Sequence, residues 1–508
     1  MFHQPTKEDV LFDPLRNTSW KFYAFIAFLL AVIAWAAYAY FNQLDEGLIV
    51  TGLRDNVFWG IYMTNFVFFI GISHAGTLIS AILRVTGAEW RRPITRMAEA
   101  ITVFALMIGG PMILIDMGRP DRIFNLLTYG RFQSPILWDL ISVTTYITGS
   151  LMYLYLPMIP DLAECRDRLT DAPAWKRFIY RTLSLGWRGG EEQKKKLEKG
   201  VAIMAVLIIP VAVSVHTVVS WIFGMTLRPG WHSTIFGPYF VVGAIFSGIA
   251  ALLVAMVVFR RVYHLDAYLT DKHFRNLSLL LFVMDIIYIY FTLSEYLTMA
   301  YGNEVADQRV MQMLFVGDFA PIFWAMILGG FVLPGFMLIL PNVIKVPEHQ
   351  SARATVLRPL TALGAVAAFA VMAFSPGGAS ADINLTTSWP LVRILTILFA
   401  LGGLLWVASP TMRKHPIGTI VVASILINIA MWLKRYIIIV PTLDNPRIPI
   451  QGVPWEWAHY SPTWVEWSIT AGAFAMFILL YTLFSKIFPI VSIWETSEQG
   501  HQEGKTHA

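Results

Sequence analysis

The chain has 508 residues, 56% hydrophobic and 14% charged, with a formal net charge of +5 and a mean hydropathy of +0.59. That composition belongs in lipid rather than water, and the small basic excess needs no nucleic-acid partner, because loops facing anionic lipid account for it. The single cysteine, Cys165, excludes intrachain disulfides, a Cys-ligated iron–sulfur cluster and a CxxCH haem attachment.

Twelve apolar stretches follow one another at 20–41, 57–84, 95–117, 135–159, 200–224, 237–260, 275–300, 319–341, 355–374, 390–408, 417–440 and 465–488. Each is close to the roughly 20 residues that cross a bilayer as a helix, and the longer ones predict tilt. Backbone groups cannot go unpaired in lipid, so the spans are helices. The expected fold class is an all-α polytopic membrane protein of about twelve transmembrane helices. The first span is long and follows a polar stretch, so no cleavable signal peptide is expected.

The loops sort by charge. Lys7, Arg16 and Lys21 precede the first span. Arg84, Arg91, Arg92 and Arg96 mark the second loop, and Arg166 to Lys196 the fourth. Arg260, Arg261, Lys272 and Arg275 mark the sixth, and Lys345, Arg353, Arg358, Arg413 and Lys414 lie in the eighth and tenth. The positive-inside rule then puts both termini in the cytoplasm. The third loop breaks the pattern: Arg119, Arg122 and Arg131 sit outside beside Asp116 and Asp121. The largest loop, 160–199, is expected to carry a short amphipathic segment on the inner surface.

Charges inside the spans are costly and usually face the bundle interior. In chain order they are His74, among small residues that let a helix approach closely; Glu99, near the inner end of the third span; and Asp116, at its outer end. Asp139 follows just after Ser134-Pro135, at the same outer level. Then come His216, Asp285 and Glu295, and Lys434-Arg435 near the outward end of the eleventh span. Each has a bland reading. Lys434 and Arg435 either snorkel or serve a site. Trp464 and Trp467 are either an interfacial belt or ligand contacts, and Glu466 favours a helix dipole. His74 and His216 are either interhelical hydrogen bonders or functional. Asp116 and Asp139, with Arg119 and Arg122 nearby, form either a salt bridge or a proton-accepting site tuned by its neighbours. Two b haems would need four deep histidines where only His74 and His216 qualify, so intrinsic haem is not expected, and no motif names a metal site.

Several ordered runs carry a family resemblance. They are Ile72-Ser73-His74-Ala75-Gly76-Thr77, Arg92-Pro93-Ile94-Thr95-Arg96, Gly118-Arg119-Pro120 and Leu137-Trp138-Asp139. Val213-Ser214-Val215-His216, Pro229-Gly230-Trp231-His232-Ser233-Thr234 and Tyr460-Ser461-Pro462-Thr463-Trp464 complete the set. On these the chain resembles the polysulfide reductase membrane-subunit family, often called NrfD/PsrC-like. Its likeness is greatest to the quinol-oxidising (ActC-type) membrane subunit of bacterial alternative complex III. The resemblance implies two four-helix bundles with flanking helices and a quinone, menaquinone or ubiquinone, near the outer face. It also implies no cofactor within the chain, an outer-surface iron–sulfur subunit, and multihaem cytochrome c or molybdoenzyme subunits beyond it. A second NrfD-like membrane subunit and a bacterial inner-membrane location belong to the same expectation.

Residues 1–56 are then the N-terminus, first helix and outer loop; 57–224 the first bundle with the quinone site; and 225–350 the start of the second bundle. An inserted hairpin, peripheral and dispensable for quinone binding, occupies 351–408, the last helices 409–488, and a cytoplasmic tail 489–508. Asp116, Asp139 and His74 are the expected catalytic residues. His74, Arg119, Trp138 and Asp139 are expected to bind quinone, and Glu99, His216 and Asp285 to form a proton path. The chain departs from the family where relatives place His at the position of Asp116 and Glu at that of Lys434. Two rivals stand beside this reading. A secondary transporter should show symmetric broken helices at the midplane, and no clear pair is seen. A cofactor-free membrane anchor would dispense with the Asp116 and Asp139 carboxylates.

Overall fold

Among the residues that the computed structural model describes, ten long helices organise the chain. Those residues are 9–343 except 227, 412–496 except 446–451 and 453, and 405 and 410. The helices are α1 (Trp20–Glu46), α2 (Ile61–Val85), α3 (Thr95–Asp116), α4 (Pro135–Tyr155), α5 (Glu191–Gly224), α6 (Phe236–Val262), α7 (Asp271–Gly302), α8 (Ala320–Leu340), α9 (Pro416–Leu443) and α10 (Trp464–Ile487). Among the described residues nine of these are long and apolar enough to cross a membrane. The tenth, α4, has 21 residues but is diluted by Asp139 and a run of hydroxyl residues. The protein is a multi-pass membrane protein.

Each of α2 to α5 packs on its two neighbours in a closed ring, and α6 to α9 repeat the arrangement. These are the two expected four-helix bundles. They are joined where α6 lies against α2 and α5. The pair α1 and α10 flanks the first bundle, with Gly472 of α10 so close to Ala36 that a side chain there would collide with it. The expected spans at 355–374 and 390–408, and the hairpin they would form, lie outside the described residues.

Both ends of the described chain meet on one face. Lys486 of α10 donates to the Pro14 and Asn17 carbonyls at 3.1 and 2.9 Å. The helix Asp9–Arg16 buries Leu11, Phe12 and Leu15 beneath itself. This is the terminal face; the other is the opposite face. The 160–199 loop folds onto the terminal face as two helices, Met158–Arg168 and Ala174–Leu183. Its Lys/Glu-rich piece is instead the first turns of α5, a 34-residue helix that projects about 50 Å at 1.5 Å per residue. Gly190 in extended conformation and Glu191 and Glu192 in the first turn start that helix early.

Candidate functional site

The centre of the first bundle is built on one small residue. A Cβ at Gly76 of α2 would strike the Ala98 carbonyl and the Thr102 hydroxyl of α3, so the two backbones touch there. At that distance Thr102 donates to the Ser73 carbonyl at 2.6 Å, and Tyr146 of α4 donates to the same oxygen at 3.1 Å. His74, the next residue, is held at both ring nitrogens: Nδ1 lies 2.9 Å from the Ile70 carbonyl and Nε2 2.5 Å from the Ala212 carbonyl of α5. A neutral imidazole donates from one nitrogen and an imidazolium from both. This seat therefore satisfies a protonated ring fully.

His216 of α5 packs on His74 with ring centroids 3.8 Å apart, and neither of its nitrogens has a hydrogen-bond partner. What the pair offers is a hydrogen-bonded seat for a proton beside a second ring able to receive it.

At the opposite face α3 ends on Asp116 and α4 begins before Asp139. Both are buried, and in each Oδ1 has no hydrogen-bond partner. Both stand at the opposite end of the first bundle, on consecutive helices. Glu466 of α10 is the acid that interacts electrostatically with Asp116. The end of α3 is pinned instead by polar residues that the sequence does not single out. Gln43 of α1 donates to the Ile115 carbonyl at 2.9 Å, and Tyr62 of α2 donates to Gln43 at 2.7 Å.

Arg119 reaches neither carboxylate. It forms a two-pronged pair with Asp121, at 3.1 and 3.0 Å, on the open surface. The short turn at Pro120–Arg122 brings Asp121 within reach first. The Arg119 guanidinium holds the Asp121 carboxyl below its usual range. Trp138 is partly exposed and donates from its indole to the Phe132 carbonyl at 2.8 Å, which leaves it beside Asp139 at the helix start.

Asp139 opens a polar stripe. Residues 139, 146, 150 and 153 share one face of α4 at intervals of seven, four and three, and Asp139, Tyr146, Ser150 and Tyr153 are all buried. At the far end Tyr153 lies 3.2 Å from Ser80 of α2, whose hydroxyl donates to Glu99 at 2.8 Å. Glu99 thus belongs to the terminal end of the same bundle. Asp285 does not: it sits in the second bundle, its carboxylate against Gly335 of α8, where an added Cβ would lie 2.7 Å from its Oδ2.

The second bundle holds a polar centre of its own. Lys434 of α9 pairs with Glu295 of α7 at 2.9 Å, both buried, with the ammonium 5.0 and 5.3 Å from the Tyr239 and Tyr296 rings. Arg435 donates to the Met431 carbonyl at 2.8 Å and faces Gly71 of α2. A small cavity beside Glu295 is lined by Trp231, Tyr296, Met299 and Thr442. Elsewhere on this side of the molecule His232, Glu304 and Asp307, the last accepting from the Gly230 N–H at 3.0 Å, bring ligand atoms within 4.8 Å of one another, close enough to hold a metal ion that no sequence motif announces.

The sequence pattern of the family described as "Polysulphide reductase, NrfD" matches residues 49–356. The chain is 30% identical over 322 residues to a protein of Halobacterium salinarum named as a membrane subunit of a dimethyl sulfoxide reductase, covering 62% of this chain and 68% of that one. It is 25% identical over 304 residues to a subunit of the selenate reductase of Mesobacillus selenatarsenatis, covering 58% and 70%. It is 24% identical over 340 residues to the Hdr-like menaquinol oxidoreductase integral membrane subunit of Archaeoglobus fulgidus, covering 66% and 75%.

Proposed function

We propose that this chain, which belongs to the polysulphide reductase NrfD family, is the quinone-binding integral membrane subunit of a respiratory electron-transfer complex. The observation that carries the reading is the pair of orphaned carboxylate oxygens on Asp116 and Asp139. Buried polar atoms are nearly always satisfied, so two at one end of one bundle point to a ligand that donates hydrogen bonds. A quinol hydroxyl is such a donor. Its oxidation releases two protons and two electrons, and a carboxylate beside each ring oxygen accepts the protons. In quinone reduction the same groups return them.

His74 and His216 lie deeper in the bundle and relay protons, with Glu99 at the far end of the polar stripe; Asp285 serves the second bundle. The basic loops support a reading with the terminal face in the cytoplasm and the carboxylates at the outer side of the membrane, which in this proposal is a bacterial inner membrane. The electrons pass to an iron–sulfur subunit docked on that outer face, and from there to cytochrome c or molybdoenzyme subunits. Relatives named for selenate and dimethyl sulfoxide reductases and for a menaquinol oxidoreductase support this assembly and favour menaquinone. Gentle purification through a tag on this chain tests the assembly. The expected result is an iron–sulfur subunit in fixed proportion and a quinone in the lipid extract. A chain that purifies alone and moves a solute across vesicles overturns it.

A further inference from the structure

The sequence reads as a cytoplasmic tail over 489–508, and its described part, residues 489–496, folds back across the terminal end of the first bundle. Ile490, Val491 and Ile493 join the main hydrophobic core, exposed by only 5%, 0% and 2%. Two carboxylates lock this strap. Asp161 accepts the Ile493 and Trp494 backbone N–H groups at 3.1 and 2.8 Å while pairing with Arg96 at the start of α3. Glu495, on the strap itself, pairs with Arg84 at the end of α2 and with Arg91 at 3.1 Å. The Glu495 backbone carbonyl accepts from Arg92 at 2.9 Å. Asp161 and Glu495 are themselves buried.

One helical turn deeper lies a group the strap covers. Glu99 follows Arg96 by three residues on α3, and Ser80 precedes Arg84 by four on α2. Their hydrogen bond, 2.8 Å long, stands directly behind the clamp. Glu495, Arg84 and Arg96 all interact electrostatically with Glu99. Behind Glu99 the hydroxyls continue to Tyr153, 3.2 Å from Ser80, and three residues earlier on α4 the Ser150 Oγ is buried without a partner. Exchangeable groups therefore begin immediately under the strap and its clamp.

We infer that residues 489–496 are a built-in seal, with Glu495 as the closing side chain, that keeps water and protons on the terminal face from reaching Glu99. The physical reason is charge. Without the Glu495 carboxylate, Arg84 and Arg91 are left as uncompensated cations at a buried boundary, and such charges draw in water. The inference does not rest on the quinone reading, because it is read without turnover.

The test labels Glu99 in the purified complex with a water-soluble carbodiimide and scores the modification by mass spectrometry. Glu99 stays unmodified in the unsubstituted complex and becomes modified in the assembled Glu495→Gln complex. Ile490→Ala with Ile493→Ala provides a second variant that loosens the strap without leaving a charge unpaired, and it opens Glu99 in the same way. Modification of Glu99 in the unsubstituted complex overturns the seal. So does protection of Glu99 that persists in whichever variant assembles.

Discussion

Lys434 and Glu295 set the terms at the scale of single residues. Two charges taken out of water are tolerable only as a pair, and removing one partner from a buried pair costs about 3–5 kcal/mol, whereas replacing both by apolar residues is often neutral. Glu295→Gln or Lys434→Met alone is therefore expected to destabilise the protein by about that amount. Lys434→Met combined with Glu295→Leu recovers most of it. Denaturation midpoints of the three variants in detergent check the pattern, and equal losses in single and double variants would rule out pairing as the cause. This pairing was only half legible. A lysine in an apolar run stands out, but nothing local says that it meets Glu295, 139 positions away, instead of snorkelling. Glu466 makes the same point. It reads as a dipole-favouring acid, yet it closes a capping box with Thr463 and also accepts from Gly52 N–H at 2.7 Å and Tyr460 hydroxyl at 2.5 Å. Asp116, Asp139 and His74 were legible as residues, because burying polar groups is costly enough to mark them. Their partners and neighbours, Gln43, Tyr62 and Tyr146, are ordinary in composition and become visible only when helices are placed.

Elements depend on where backbones touch. Gly76 allows α2 and α3 to meet, and that contact positions Thr102, Ser73 and His74 together. Gly76→Val should abolish accumulation of the folded subunit, because the backbone of α3 cannot yield. Gly472→Val acts on the crossing of α10 with α1, a helix largely exposed to lipid, and should weaken the attachment of α1 while leaving the two bundles intact. The amount of membrane-inserted protein and protease cleavage near 47–60 separate the two outcomes; an unaffected Gly76→Val would refute the close contact. Small residues around His74 announce this crossing in the sequence, since glycine in an apolar span signals close approach. Helix ends were less legible. The charged start of α5 looks like a surface segment until its helical continuity is seen. The strap 489–496 looks like a tail because its burial depends on Arg84, Arg91 and Arg96, some 400 residues earlier.

At the scale of the molecule, the spans within the described residues, the all-helical class and the two bundles followed from hydropathy and the family resemblance, because lipid restricts the backbone to few solutions. Which bundle holds which charge followed from chain order. What hydropathy did not give is that a second polar centre occupies the other bundle. The account's central claim is that Asp139, at the opening of the polar stripe on α4, accepts a proton from quinol. Asp139→Asn keeps the shape of the side chain but removes the base, and losing a general base typically costs about 10² to 10⁴ in rate. Asp116→Asn should act in the same direction to a similar or smaller degree. The direct measurement is quinol turnover per assembled complex in the Asp139→Asn variant, with quinone affinity alongside. The account predicts a loss of that order with assembly intact, and normal turnover per assembled complex would contradict it.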